Sequence, residues 1–315
     1  MSKSIRTRTR YVMMSSDYSQ QELKIVTQLC NDPQMFKVYQ EGKDLYSEIA
    51  ALSFHRSYED CLEFYLDDQG HKTDKVNLEG SKYRKQAKSI LLGILYGRGD
   101  KSIAEQLGCS LEEAKKIKQS VYSAFPSLAQ FEQNSIKMAK SHGFVTTLWG
   151  RKRRLPELRL PYYDFHWVDS SRKDPIPMTL VEKYRKKLDE SSWARRSKII
   201  EEALNNDSLQ IIQNGDKIAE AKRQCINSRV QGSASDMLKK AMVAIDTDQE
   251  LKQLGFHLLI PVHDELIGEC PLENAAACKE RFTMLMNTCA NDKLHIPISC
   301  DVVSSFAWSG EEINI

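Results

Sequence analysis

Residues 256–270 read FHLLIPVHDELIGEC, two apolar runs that meet at His263, Asp264 and Glu265. The aliphatic residues on either side give each run strand character, and the polar break predicts a hairpin with the acids at its tip. Charges carried there can face a groove instead of a core. An acidic tip is ordinarily just solvated, so its chemistry depends on what the fold brings beside it. The natural counterpart is Asp17, which follows a strand-like run at 11–15 and precedes helical spacing at Leu23, Val26 and Leu29. A carboxylate where a strand passes into a helix can point at a bound ion beside exposed helix-start amides. It can equally be the helix N-cap. Glu22 follows in what the spacing predicts to be the first helical turn.

The chain has 315 residues, 41% hydrophobic and 28% charged, which is a globular composition long enough for one large or two interlocked domains. A net charge of +2 means that any nucleic-acid partner must be met by local basic clusters rather than a bulk positive field. The eight cysteines are scattered, with no Cys-x-x-Cys pair and no zinc-like spacing with histidine, and read as reduced core thiols. The N-terminus is charged from the start, and no apolar run approaches the ~20 residues of a membrane span. The expectation is a soluble intracellular protein without a membrane partner.

Basic clusters are present. Lys3, Arg6, Arg8 and Arg10 form an arm that is either solvated or in contact with phosphate, and Arg151, Lys152, Arg153 and Arg154 follow a β-prone run at 144–149. Residues 32–142 read as mostly helical, with Asp44 as one helix cap and Ser110 with Glu113 as a capping box. Within them the string YLDD at 65–68 suggests a metal-binding turn. It is discounted here because the following QGHKTDK is expected not to form a return strand.

Residues 81–97, SKYRKQAKSILLGILYG, place Arg84, Lys88, Leu92 and Tyr96 at four-residue steps along one slowly winding helical stripe. That stripe spans ~18 Å at 1.5 Å per residue, enough for two cations to hold a polyphosphate while the aromatic reaches a base or sugar. A solvated basic face is the alternative. Gly93, inside the helix, suggests a close approach to its backbone. A second polar stripe, Arg223, Asn227 and Gln231, lies on a predicted helix at 222–245, with Val230, Met237, Leu238, Ala241 and Met242 facing inward. Residues 157–219 mix aromatics, prolines and charge and read as a surface subdomain. A closing helix at 271–287 and a strand at 296–303 end the chain's regular text.

Four ordered motifs, DYSQQEL at 17–23, RKQAKSILLGILYG at 84–97, INSRVQGSASD at 226–236 and VHDE at 262–265, together resemble the polymerase core of family A DNA polymerases, especially phage-carried versions. The resemblance covers nearly the whole chain except 57–80 and 157–219, which look like insertions. It implies an α+β architecture: a palm on an antiparallel sheet carrying Asp17 and Asp264, with a helical fingers subdomain carrying Lys88. The corresponding divisions are palm at 1–29, fingers at 30–143, a palm-side hairpin at 144–156, the insertion at 157–219 and palm again at 220–315. Thumb and 3′→5′ exonuclease domains are expected to be absent.

By the same resemblance, Asp17 and Asp264 match metal-binding aspartates for two magnesium ions, for which manganese can substitute, and Glu265 a neighbouring carboxylate that assists. Arg84 and Lys88 match residues that hold the incoming triphosphate, Lys88 being also placed to protonate pyrophosphate. Tyr96 matches an aromatic at the template-base end, and Glu22 a residue that blocks a ribose 2′-hydroxyl. Gln20 and Tyr46 are further nucleotide-contact candidates, Tyr46 standing where bacterial members carry histidine. His263, Arg223, Asn227 and Gln231 match contacts to primer and template. Leu91 and Leu92 depart from the family pattern, which has asparagine and an aromatic there; leucine packs against a sugar but cannot stack. The expected partners are primer–template DNA, deoxynucleoside triphosphates and a separate thumb or exonuclease polypeptide if the gene is split, in the host cytoplasm if phage-encoded. The rival expectation is a non-catalytic DNA- or replisome-binding module.

Overall fold

The computed structural model describes residues 10–67, 69–308, 311–313 and 315. Lys3, Arg6, Arg8 and Asp68 therefore lie outside the described residues. Strand β1 (Tyr11–Tyr18) is followed by helices α1 (Gln21–Cys30), α2 (Pro33–Gln40) and α3 (Leu45–Phe54). A short hairpin, β2 (Phe64–Leu66) and β3 (Lys72–Val76), leads into α4 (Leu78–Leu95), α5 (Asp100–Leu107), α6 (Leu111–Ala124) and α7 (Pro126–His142). Next come β4 (Phe144–Thr146), β5 (Lys152–Arg154), β6 (Tyr163–Trp167), α8 (Met178–Asp189), α9 (Trp193–Asp207) and β7 (Leu209–Gln213). The chain closes with α10 (Gly215–Thr247), α11 (Gln249–Gln253), β8 (His257–Val262), β9 (Glu265–Pro271), α12 (Ala275–Thr288) and β10 (Cys300–Ser305). No helix among the described residues is long and apolar enough to cross a membrane.

Two compact units emerge, one of residues up to 135 with 146–153 and 226–315, the other of residues 136–145 and 154–225. The first combines helices with a four-stranded sheet of order β10-β1-β9-β8, whose strand pairs are all antiparallel. The α+β class expected from the sequence therefore holds. One core lies among the helices, where Leu23, Ile25, Ile49, Ile90 and Leu91 meet Val230 of α10. The other lies under the sheet, where Val12, Met14, Leu266 and Cys270 meet Met237 and Phe282. The second unit packs Tyr163, Leu209 and Ile211 of the β6–β7 pair against Tyr184 and Leu188 of α8 and Ala203 of α9. A smaller core of Ala139, Val145, Leu155, Leu158, Ala221 and Cys225 completes it. All eight cysteines are free thiols, in keeping with the reduced state expected.

Several local expectations need correction. The stretch after YLDD does form a return strand: Phe64 pairs with Val76 and Leu66 with Lys72. Propensity alone missed this because cross-strand contacts hold it, with the Lys72 ammonium 3.9 Å from the Phe64 ring centroid and Thr73 Oγ1 donating to the Tyr65 carbonyl at 2.8 Å. Gly93 has no unusually close neighbour. A Cβ there would meet Arg98 and Ile103 side chains at 3.5 Å, an ordinary contact distance. Asp17 is not a helix cap, since β1 continues to Tyr18 and Gln20, at φ 53°, occupies the N-cap position without a side-chain cap bond. The last strand begins at Cys300 rather than 296, the preceding residues running irregularly past Pro297.

Candidate active site

Strand register creates the acidic centre. On β1, Asp17 lies directly opposite Glu265 of β9 on one side and Asp301 of β10 on the other. Val262 pairs with Glu265, so the turn between β8 and β9 consists of His263 and Asp264. His263 adopts φ 56°, a left-handed conformation uncommon outside glycine, and so turns the chain without lengthening the loop. Asp264 is thereby delivered to Asp17, and the two carboxyls come within hydrogen-bonding reach. Burial, then the Asp264 charge, raise the Asp17 carboxyl above its ordinary range, with a smaller contribution from Glu265. Among the described residues no three His, Cys, Asp or Glu side chains converge to enclose a metal on their own.

A cleft of about 490 Å³ opens on this centre. Its walls include Asp17, Gln20, Glu22, Tyr46, Arg84, Lys88, Leu92 and Asp264. Residues separated by nearly the length of the chain are thus gathered around one opening, and the helical stripe on α4 faces it. The aliphatic side of α4 explains why. Ala87, Ile90, Leu91, Ile94 and Leu95 are buried in the helical core, which leaves Arg84, Lys88 and Leu92 for the cleft side. Tyr46 is itself buried beneath the two cations, its ring centroid 5.3 Å from Arg84 Cζ and 5.9 Å from Lys88 Nζ. Burial, then the nearby Glu22 charge, push its hydroxyl pKa up. The Tyr96 hydroxyl donates to Glu22, fixing that carboxylate, and Gln231 also hydrogen-bonds Tyr96.

Sequence reasoning missed Asp44 beyond its capping role. Its carboxylate accepts from the Ser47 amide at 2.8 Å and from the Ser47 hydroxyl at 2.7 Å, as a cap should. It also takes Arg84 Nε and Nη2, each at 3.0 Å, and Gln20 Nε2 at 2.5 Å. Burial alone would raise this carboxyl, yet Arg84 and Ser47 outweigh it and hold it below the ordinary range. No periodicity could have shown the pairing, because it depends on how α3 and α4 pack.

The basic run after β4 divides. Arg151 Nε binds Asp236 at 2.6 Å and Nη2 the Gly232 carbonyl at 2.9 Å, so its fork is already engaged with α10. Ser233 Oγ accepts from the Leu148 amide at 2.8 Å, and a Cβ at Gly232 would sit 2.8 Å from Thr147. The glycine and small serine of the INSRVQGSASD motif therefore let the 147–151 turn seat on the helix. Arg151 is thus tied to α10, with its side chain still 52% exposed. Lys152, Arg153 and Arg154 are exposed. Asn227 and Gln231 lie in the first unit, whereas Arg223 falls in the second. Within the described residues, Asn227 Oδ1 is buried without a hydrogen-bond partner.

A sequence profile of DNA polymerase family A matches residues 3–310. The chain is 27% identical over 298 residues to the thermostable DNA polymerase I of Thermus filiformis, covering 95% of this chain and 27% of that protein. It is 25% identical to DNA polymerase I of Geobacillus stearothermophilus, covering 95% of this chain and 26% of the relative. The chain thus spans about a quarter of the length of these relatives. Among solved structures, the POL domain of Pol1 from M. smegmatis, in complex with DNA primer-template and dNTP, superposes with a TM-score of 0.68 at 22% identity. That match covers 96% of this chain and 41% of the other. It shows a shared fold.

Proposed function

The chain belongs to DNA polymerase family A, and from that premise we propose that it is a template-directed polymerase core transferring deoxynucleotides to a primer 3′-hydroxyl. The observation that carries this reading is the single cleft in which Asp17 and Asp264 share walls with Arg84 and Lys88. In this reading the sheet with β1 and β8–β9 is the palm, and the helices around α4 are the fingers.

Asp17 and Asp264 fit divalent cations: two carboxyls in contact, one with its proton affinity raised by burial and then by the other, form a site whose repulsion a cation relieves. When bound, such ions would ease loss of the proton from the attacking hydroxyl and stabilise the leaving pyrophosphate. Glu265, one strand across from Asp17, supports their field. Arg84 and Lys88 hold the phosphates, and Lys88 is placed to return a proton to the departing pyrophosphate. Glu22, tethered by Tyr96 on the cleft wall, would be the group that blocks a ribose 2′-hydroxyl. Gln20 and Tyr46 line the nucleotide's path, and Leu92 offers the sugar an apolar surface without stacking. Lys152, Arg153, Arg154, Arg223, Asn227, Gln231 and His263 are assigned to primer and template.

The test is primer extension in magnesium or manganese, by the chain alone and with a candidate thumb-bearing polypeptide. Extension in either case supports the enzyme. DNA binding with no extension in both cases replaces it with a non-catalytic primer–template binding module.

A further inference from the structure

Arg84, the cation proposed above to meet the triphosphate, touches two carboxylates of unlike geometry. Asp44 grips it through a fork, with Nε and Nη2 each 3.0 Å from a separate carboxylate oxygen. Both side chains are largely buried, at 23% exposure for Arg84 and 18% for Asp44, and Asp44 is fixed further by Ser47 and Gln20. Glu63, just before β2, comes from the other side, its Oε2 3.7 Å from Nη1. That distance is too long for a hydrogen bond, and Glu63 is 39% exposed. It acts on the charge of Arg84 without orienting the group.

A guanidinium has five N–H groups in a rigid plane. With the Nε–Nη2 edge taken by Asp44, the remaining hydrogens on Nη1 and Nη2 are the ones left for a phosphate. The cleft is lined by Arg84 but by neither acid. We propose that the two carboxylates set nucleotide affinity with opposite sign: Asp44 is a positioning residue that presents the free edge of Arg84 to the triphosphate, and Glu63 is a competitor that weakens its hold. Both roles rest on the polymerase reading of the cleft.

Two substitutions separate them, since each keeps side-chain volume while removing the charge and one acceptor oxygen. In primer extension Glu63→Gln lowers the KM for deoxynucleotide by about two- to threefold, as expected for a half-exposed ion pair, with the change in KM rather than kcat. Asp44→Asn, which can still cap α3, raises that KM roughly tenfold, the scale of a charge-assisted fork reduced to a single bond. A Glu63→Gln enzyme with a raised KM, or an Asp44→Asn enzyme with a lowered one and an unaltered melting temperature, overturns the proposal. Calorimetric titration of tripolyphosphate into the full chain reads the same two signs without turnover. If no form extends a primer but tripolyphosphate binding moves as described, the catalytic reading fails and the paired action on Arg84 stands. If extension occurs while neither KM nor tripolyphosphate affinity responds, the reverse holds.

Discussion

Two hairpins of the first unit carry acids at their turns, and they differ in what those acids have left to bind. At the β2–β3 turn, Asp67 Oδ1 accepts from the Gln69 amide at 2.9 Å and the His71 amide at 2.8 Å. Its lone pairs are largely committed to its own loop, and both strands of that pair are mostly exposed. At the β8–β9 turn, β9 is buried between β1 and β8, and its position brings Asp264 against Asp17 from a strand some 250 residues away in sequence. The same residue type is a turn former in one place and is set against a second carboxyl in the other. An acidic pair in the sequence, Asp67-Asp68 or Asp264-Glu265, does not make that distinction; the third strand does.

The sharpest way to break the contrast is to remove each tip acid. Asp264→Ala should reduce primer extension by roughly a thousandfold or more, because several kcal/mol of transition-state stabilisation is withdrawn at the reacting phosphate. Binding to primer–template DNA, measured by fluorescence anisotropy, should change little. Near-normal turnover in this variant would remove Asp264 from the metal site.

A third hairpin, β4–β5, extends the comparison to bases. Arg151 binds Asp236 and the Gly232 carbonyl, and Lys152, Arg153 and Arg154 are exposed beside it. Replacing those three by glutamine should weaken DNA binding and make its log–log salt dependence shallower by about 0.9 for each phosphate that is no longer neutralised. Arg151→Ala should instead lower the melting temperature by about 2–4 °C, since Asp236, whose Oδ2 already lacks a partner, loses its cation. If Arg151→Ala flattens the salt slope as much as the triple variant, the division into tie and contact residues is wrong.

Asp17 tests the same idea through stability. Its folded-state pKa is raised, so folding favours its protonated form, and stability falls as pH rises from the ordinary aspartate range through the raised value. Once the carboxyl is ionised, the cost of its burial and of the Asp264 charge is fully present. Asp17→Asn should therefore raise the melting temperature by about 1–2 °C at pH 7 in a chelator, a modest figure because the site is solvent-screened. The gain should vanish once the pH drops below the ordinary aspartate range, where the wild-type side chain is neutral in both states. A gain that persists in acid would point to packing instead of charge.

These contrasts also mark what the sequence made legible. The β8–β9 hairpin and the strand before Asp17 were readable as apolar runs broken by polar residues, and the stripe Arg84, Lys88, Leu92 as a four-residue spacing. The α+β class followed from the family resemblance of the four motifs, not from spacing. The fork between Asp44 and Arg84 was not readable: Asp44 announces itself as a helix cap, and its second role exists only because α3 and α4 pack together. Arg151 looked like its three neighbours until Asp236, far along the chain, took its guanidinium. Strands β6 and β7 were hidden for a related reason, since each is short and their pairing joins the ends of a long segment containing two helices.

The smallest expected effect completes the comparison. Asp67→Ala removes the acceptor for two turn amides, and both amides then turn to water, which is available because the loop is exposed. The cost should be within about 0.5 kcal/mol of global stability, as for other solvated surface sites. Primer extension should stay within twofold of wild type, because Asp67 is no part of the cleft wall. Hydrogen exchange at Gln69 and His71 is the sensitive readout: protection at these amides should fall while protection in β9 does not. A large loss of extension in this variant would mean that the β2–β3 turn acts on the cleft, and the nearest route is through Glu63, which precedes β2 and touches Arg84.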